Sequence, residues 1–448
     1  MSIERDHNLT SFVEDAASEL GVPGISVGVV VEGRELAATI GVTSTSDPLA
    51  VDEDTLFMIG STSKTFTATA LMSLVEDGLL RLSDRLIEHL PEFRLQDQQV
   101  AETVTVGHLL NHTGGWRGDL TSRTGWGDDA LARALDDVAA APQELPMGSF
   151  PSYSNSGFLL AGHLLATLRG TTFEQAVREL VLDPLGLTGS CYFPWELAHR
   201  RHAVAHVVQD QVATPVLPYP VERALGPAGG LNSSLRDQLA YARFHLDGTT
   251  TGTAPISEET RLRMQQPTVA ARSTIEGIGL SWLLSHHGGV RLVSHGGNVS
   301  NLQTSTFVLA PDHGFAMTVM ANTKHAAAIG GRALTWAVEH YLGIAPPPSL
   351  PTTAFDAADL VGLYDMGPFA WSLTNRGRQL FVEMKVPDDV PEEIRVAFMA
   401  PAKELVAVGE DVFALAADPV MPVLDVRRAA DGTVEGIVHG MRFARRVP

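Results

Sequence analysis

The chain has 448 residues, 44% of them hydrophobic, and a formal net charge of −20. That length allows about two or three domains, and the acidic balance argues against a nucleic-acid footprint and against an anionic membrane surface as partner. Cys191 is the single cysteine, which excludes an intramolecular disulfide and reads as a small buried hydrophobe.

Residues 1–8 are polar and carry no secretory core. No run reaches the ~18 apolar residues of a membrane span, so the expected compartment is the cytoplasm. Thr10 or Ser11 can cap a first helix with Phe12, Val13, Ala16 and Leu20 on one stripe. Residues 25–31 read as a buried strand, Glu32-Gly33 as a turn, and residues 36–40 as a second strand. After Gly60 the apolar spacing turns helical through Phe66, Ala70, Leu71, Leu74 and Val75. Residues 71–205 read mostly as helix and loop. Within them 156–169 form a helix stopped by Gly170, and Thr171-Thr172-Phe173-Glu174 starts another as a capping box. Ser234-Leu235-Arg236-Asp237 starts a further helix in the same way.

Strands return at 280–284 and 291–294. A hairpin over 306–310 and 315–321 turns at Pro311-Asp312-His313-Gly314, and a helix over 329–342 follows. Pro346-Pro347-Pro348 opens a stiff linker over 346–354. Residues 355–448 are strand-rich, with turns at Asn375-Arg376-Gly377 and Asp431-Gly432. The pattern predicts an α+β domain over 1–345 with a helical insertion, then a small β domain.

Lysine is scarce: Lys64, Lys324, Lys385 and Lys403. Lys64 follows Ser61 as Ser-x-x-Lys, and i,i+3 positions share one face of a helix. A serine is a poor nucleophile until a base stands beside it. A buried lysine can lose its proton and serve, whereas an arginine cannot. Two further stretches suit this chemistry. In Ser152-Tyr153-Ser154-Asn155 an extended chain would point Tyr153 and Asn155 the same way. A phenol there can shuttle a proton, and the amide can both donate to and accept from a substrate. In Ser294-His295-Gly296-Gly297-Asn298 two glycines allow close backbone approach. The Asn298 N–H, with that of Ser61, would form an oxyanion hole. His286-His287-Gly288-Gly289 also holds His-Gly-Gly but reads as a hairpin turn. His108 and His112 read as capping before Thr113-Gly114-Gly115 rather than as a metal pair. No metal or cofactor is expected.

Ser61-x-x-Lys64, Tyr153-x-Asn155 and His295-Gly296-Gly297, in that order, resemble the serine β-lactamase and penicillin-binding-protein superfamily. The nearest branch looks like the class C β-lactamases and their D-aminopeptidase, D,D-carboxypeptidase-like and esterase relatives. Phe57-Met58-Ile59-Gly60, Leu109-Leu110-Asn111-His112-Thr113-Gly114-Gly115 and Pro227-Ala228-Gly229-Gly230-Leu231 look like that branch too. The resemblance implies a mixed sheet flanked by helices, an all-helical lobe, and an acyl-enzyme on Ser61. Lys64 and Tyr153 would share the proton chemistry, His295 would act beside them, and Asn155, Gly296, Gly297 and Asn298 would hold the substrate. Where the lactamases usually carry Lys-Thr-Gly this chain has His295-Gly296-Gly297, so weak β-lactamase activity at most is expected. Residues 355–448 resemble, more weakly, a lipocalin-like β-barrel domain, with Val361-Gly362-Leu363-Tyr364 and Phe443 as the matching positions.

The expected function is hydrolysis of a small amide or ester, with a short peptide containing a D-residue among the substrates. Two alternatives stay open: an acyltransferase or penicillin-binding-protein-like thioesterase and peptide cyclase, and a binding protein without turnover on the same fold. A homo-oligomer also stays open. By analogy, residues 116–126 and 212–224 would wall the pocket.

Overall fold

The computed structural model describes residues 3–120, 122–216, 219, 221–272, 275–367, 369–387, 395 and 400–447. Among them, nine strands form one sheet. In spatial order they are Glu4–Arg5, Arg34–Gly41, Gly24–Val31, Phe315–Ala321, Gln303–Ala310, Val290–Val299, Leu283–His287, Gly277–Ile278 and Val269–Ala270. Glu4–Arg5 pairs in parallel with its neighbour and the other pairings are antiparallel, so the sheet is mixed.

Side chains alternate across each strand, and the sequence uses both faces. Val27, Val29, Val308 and Ala310 pack with Leu9, Val13 and Ala16 of helix His7–Leu20 and with Ile329, Ala333 and Ala337 of helix Ala326–Leu342. Val30, Phe307 and Leu309 face the other way, against Phe66 and Leu71 of helix Ser63–Glu76 and Leu239 of helix Leu235–Asp247. An added Cβ at Gly28 would stand 2.7 Å from a Leu235 methyl, so this glycine lets the second helix layer lie close to the sheet. The helical lobe packs on the same layer through Phe158, Leu160 and Leu164 of helix Asn155–Arg169.

Several local readings change, among them the helix read over 329–342, which starts at Ala326, and the strand read over 291–294, which runs Val290–Val299. The first helix is capped by Asp6, whose carboxylate accepts from Leu9 N at 2.8 Å, while the Thr10 hydroxyl bonds back to Asp6 O. Helix Asn155–Arg169 begins one residue early because Ser154 Oγ accepts from Gly157 N at 2.9 Å. Helix Phe173–Val177 is capped by Thr172 rather than Thr171. The strand read over 280–284 is broken at Ser281 (φ 72°), whose N–H donates to Leu110 O at 2.7 Å. His287 lies at the end of strand Leu283–His287, and Gly288 and Gly289, with φ 58° and 85°, make the following hairpin turn.

The C-terminal strands close into an eight-stranded antiparallel barrel. Leu373, Leu380, Leu405, Phe413, Leu424 and Ile437 form its core. Val438 and Phe443 instead pack against Leu145 and Phe150 of the helical lobe. Arg117 reinforces that seam, with Glu144 on one side and Asp365 of the barrel on the other, each at 2.7 Å.

Candidate active site

Ser61 stands in a 3-10 turn, Gly60–Thr62, that runs directly into helix Ser63–Glu76. Gly60 takes φ +53°, a conformation that glycine adopts at little cost. The turn is tied down from several sides. Ser63 Oγ donates to Gly60 O at 2.6 Å and accepts from Leu231 N at 3.1 Å. Ser305 Oγ donates to Ile59 O at 2.7 Å and lies 3.0 Å from the Thr62 hydroxyl. Strand Val290–Val299 presses against this turn. An added Cβ at Gly297 would stand 1.8 Å from Ile59 O, and one at Gly60 would stand 2.7 Å from Asn298 N. Pairing with Leu283–His287 reaches only to Ser294, so residues 295–299 present a strand edge toward the Ser61 turn.

Lys64 is fully buried. Its Nζ lies 2.6 Å from Asn155 Oδ1, 2.5 Å from Ala228 O and 3.2 Å from Ser61 Oγ. Burial, and then the nearby Arg442 cation, hold its pKa well below the usual lysine value, while Asp119 acts in the opposite sense. A neutral amine has two N–H donors and one lone pair. Asn155 and Ala228 each present an acceptor oxygen, which uses both donors. In that neutral form the lone pair would be left for the Ser61 hydroxyl, the arrangement a general base needs, whereas a protonated Lys64 donates to Ser61 Oγ.

Tyr153 precedes the helix that starts at Asn155, and its backbone bends through the extended cap Ser154 (φ −131°, ψ 111°). The Tyr153 ring is buried and its hydroxyl has no hydrogen-bond partner among the described residues. Burial raises the phenol pKa, while Arg442 and then the nearby Ser61 hydroxyl pull it down. Lys64 Nζ lies 4.9 Å from the ring centroid.

Two histidines flank the phenol, with ring centroids 4.5 Å away for His112 and 6.0 Å for His295. His112 Nδ1 accepts from Ser154 N at 3.1 Å, so its proton sits on Nε2. His295 Nδ1 donates to Gly296 O at 2.8 Å, so its Nε2 presents a lone pair. Both Nε2 atoms are buried without partners among the described residues. A donor and an acceptor therefore flank the phenol. His112 holds φ +61°, a strained conformation of the kind found at functional sites.

Burial drives His295 and His245 down to about 3, and His112 well below its usual value. These rings are neutral in the folded protein and charge in the unfolded chain below about pH 6.5. Stability is therefore complete above that pH and falls as the pH drops toward 3, by about 1.4 kcal/mol per pH unit for His295 and again for His245, with His112 acting in the same direction. Asp237, pushed up to about 6 by burial, works in the opposite direction between its unfolded value and 6. The expected net result is a lower urea midpoint at pH 5 than at pH 7. His245→Gln should flatten that difference, and an unchanged slope would refute the assignment.

Ser61, Lys64, Tyr153, Asn155 and His295 thus converge on one point, with Gly296, Gly297 and Asn298 along its edge. Three further side chains stand with them: His112, Asp119 and Arg442. Of the two histidines read as capping, His108 does so as the capping-box partner of Thr105, its Nδ1 accepting from Thr105 N at 3.1 Å, at the start of helix Val106–Leu110. The signal for His112 was its place between an apolar helix and two glycines. Arg442 lies in the barrel and no local motif marks it.

The Beta-lactamase family model matches residues 9–340. The chain belongs to the beta-lactamase family of serine hydrolases. It is 33% identical to "Penicillin-binding protein 4" of Amycolatopsis lactamdurans over 78% of this chain and 94% of that protein. Among solved structures, SurE is similar over 98% of both chains with a TM-score of 0.76 at 24% identity, so the likeness includes the barrel. SurE has also been solved with D-Leu. D-amino acid amidase from Ochrobactrum anthropi SV3 matches 73% of this chain and 96% of its own, with a TM-score of 0.61 at 22% identity.

Trp126, Trp195, Tyr219 and Phe193 form an aromatic cluster. Trp126 lies 5.6 Å from Trp195 and 6.0 Å from Tyr219 between ring centroids, and Trp195 stacks on Phe193 at 4.5 Å. Trp126 and Tyr219 come from the stretches 116–126 and 212–224. Thr121, Leu217, Pro218 and Pro220 of those stretches lie outside the described residues.

Proposed function

We propose that this protein is a serine hydrolase that acylates Ser61 and cleaves a small amide or ester, with short peptides bearing a D-residue as the favoured substrates. One observation carries the reading. Lys64 is buried against Asn155 Oδ1, Ala228 O and Ser61 Oγ, and burial favours the neutral amine, which can donate to the first two and turn its lone pair to Ser61. A lysine kept only for structure would be expected to seek a carboxylate; this one faces two amide oxygens and a serine.

In the forward step Ser61 Oγ attacks the substrate carbonyl while its proton passes to Lys64. The oxyanion is received by the N–H groups of Ser61 and Asn298. Tyr153, between Lys64 and the leaving group, returns a proton to the departing amine or alkoxide, and water then releases the acyl group. The D-residue preference draws support from the fold likeness to an enzyme named for D-amino acid amides and to a protein solved with D-Leu. His295 replaces the lysine that would meet a penicillin carboxylate, which supports a peptide or ester substrate over a β-lactam.

Intact-protein mass after incubation with a fluorophosphonate, and separately with a p-nitrophenyl ester, tests this. Wild type should gain one adduct and Ser61→Ala none. Labelling of both proteins alike, or of neither, would overturn Ser61 as nucleophile. D- and L-amino acid amides compared as substrates then test chirality.

A further inference from the structure

The barrel reaches the acylation centre through one turn. Gly440 and Met441 both have positive φ, 56° and 64°, and fold the chain back between strands Val434–His439 and Arg442–Arg446. Three contacts seat this turn. Tyr153 N donates to Met441 O at 2.8 Å, Phe443 N donates to Ser152 Oγ at 3.2 Å, and Met441 packs with Ile275, Ile278 and Leu283. Arg442 then lies over the Tyr153 ring, 4.6 Å from its centroid, and donates through Nε to Asp119 Oδ2. Asp119 Oδ1 accepts from Asn155 Nδ2 at 2.5 Å, and Asn155 Oδ1 accepts from Lys64 at 2.6 Å. A continuous line of side-chain hydrogen bonds runs from the barrel to the nucleophile.

The chemistry of each link gives that line a direction. An amide turned through 180° exchanges its donor and acceptor ends. A neutral lysine would tolerate either end, because its amine both donates and accepts. With the NH2 end inward, Asn155 would claim the lone pair that Ser61 needs. A carboxylate only accepts, so Asp119 admits just the productive orientation. Arg442 fixes the carboxylate from its other oxygen and supplies the counter-charge. We propose that Asp119 and Arg442 are a positioning pair that locks the Asn155 amide oxygen toward Lys64, making the barrel part of the acylation machinery. The inference rests on Ser61 as nucleophile with Lys64 as base.

Four ionisable groups face Lys64 and Tyr153 from the packed elements: His112 from the loop after Leu110, Asp119 from the next loop, His295 from the strand, and Arg442 from the barrel. Both histidines are neutral, which leaves Arg442 and Asp119 as the charges that matter. Arg442 favours proton loss from Lys64 and Tyr153, and Asp119 opposes it. The two residues therefore predict opposite pH shifts.

The experiment is the rate of Ser61 labelling by a fluorophosphonate from pH 5 to 10, on the full chain, with a thermal melt for each variant. Arg442→Gln should slow labelling about tenfold or more at pH 7 and move the acid limb up by about one pH unit. Asp119→Asn should also slow labelling, since the acceptor-only lock is gone, but should move the limb down. Arg442→Lys keeps the charge and loses the guanidinium fork; it should keep the wild-type limb with an intermediate rate. If Arg442→Gln fails to fold, the downward shift in Asp119→Asn decides alone. Asp119→Asn labelling at the wild-type rate, or limbs identical to wild type, would reduce the pair to a domain contact and sink the proposal. A wild type that takes no label overturns the serine hydrolase reading itself.

Discussion

Replacing Lys64 with methionine is expected to slow acylation of Ser61 by about 10³–10⁴-fold, the range seen when a catalytic base is removed from its nucleophile. Methionine has a similar length and suits a buried site, so the fold should survive. Asn155 Oδ1 and Ala228 O would each lose a donor, at a cost of about 1–3 kcal/mol per group. Part of that cost is offset because a desolvated amine is no longer buried. Lys64→Arg makes the sharper contrast. Its guanidinium stays charged, so it restores no base. It also places a permanent cation where the nearest charges are Arg442 and Asp119. The expected result is no recovery of labelling and a lower melting temperature than Lys64→Met. The measurement is labelling rate beside thermal melting for both variants. Labelling by either at more than a tenth of the wild-type rate would remove Lys64 from the role of base.

What the sequence makes legible is what a few consecutive residues can express. The Ser61–Lys64 spacing is a local property of one helix, and the Tyr153–Asn155 pair needs only a capped helix start. The sheet strands show as β-branched runs closed by turns such as Glu32-Gly33, where both residues take positive φ, 51° and 74°. The departures come from long-range partners. Ser281 leaves the strand because a carbonyl 171 positions away, Leu110 O, takes its N–H. Thr10 has a good capping side chain, yet Asp6 stands one turn earlier and takes the role. The largest omission is Arg442. Nothing near it in the chain speaks of catalysis, and it enters the site only because the barrel docks on residues 117–153 through Arg117, Glu144 and Ser152. A charge that acts through another domain's fold leaves no local pattern.

The same contrast between local and long-range constraint separates two adjacent glycines. Gly297→Ala is expected to slow labelling by at least about 100-fold and to lower stability, whereas Gly296→Ala should leave both near wild type. At Gly297 an added Cβ would meet Ile59 O at 1.8 Å and Ser305 Oγ at 2.5 Å. The Ile59 carbonyl cannot yield alone. It precedes the Gly60–Thr62 turn and is held by the Ser305 hydroxyl, which the same Cβ would also strike. The methyl must therefore push the strand away from the turn, carrying Asn298 N from Ser61. Loss of one oxyanion donor costs about 2.7–4 kcal/mol of transition-state stabilisation, which sets the expected rate loss. Overpacking adds about 1–3 kcal/mol of destabilisation. At Gly296 the nearest atom, Ser305 O, lies 3.5 Å from the same added Cβ, an ordinary contact. Labelling rates and melting temperatures of the two variants, measured side by side, test the argument. If Gly297→Ala labels like wild type, the strand edge does not supply the oxyanion donor, and Ser61 must draw its stabilisation from elsewhere in the cleft.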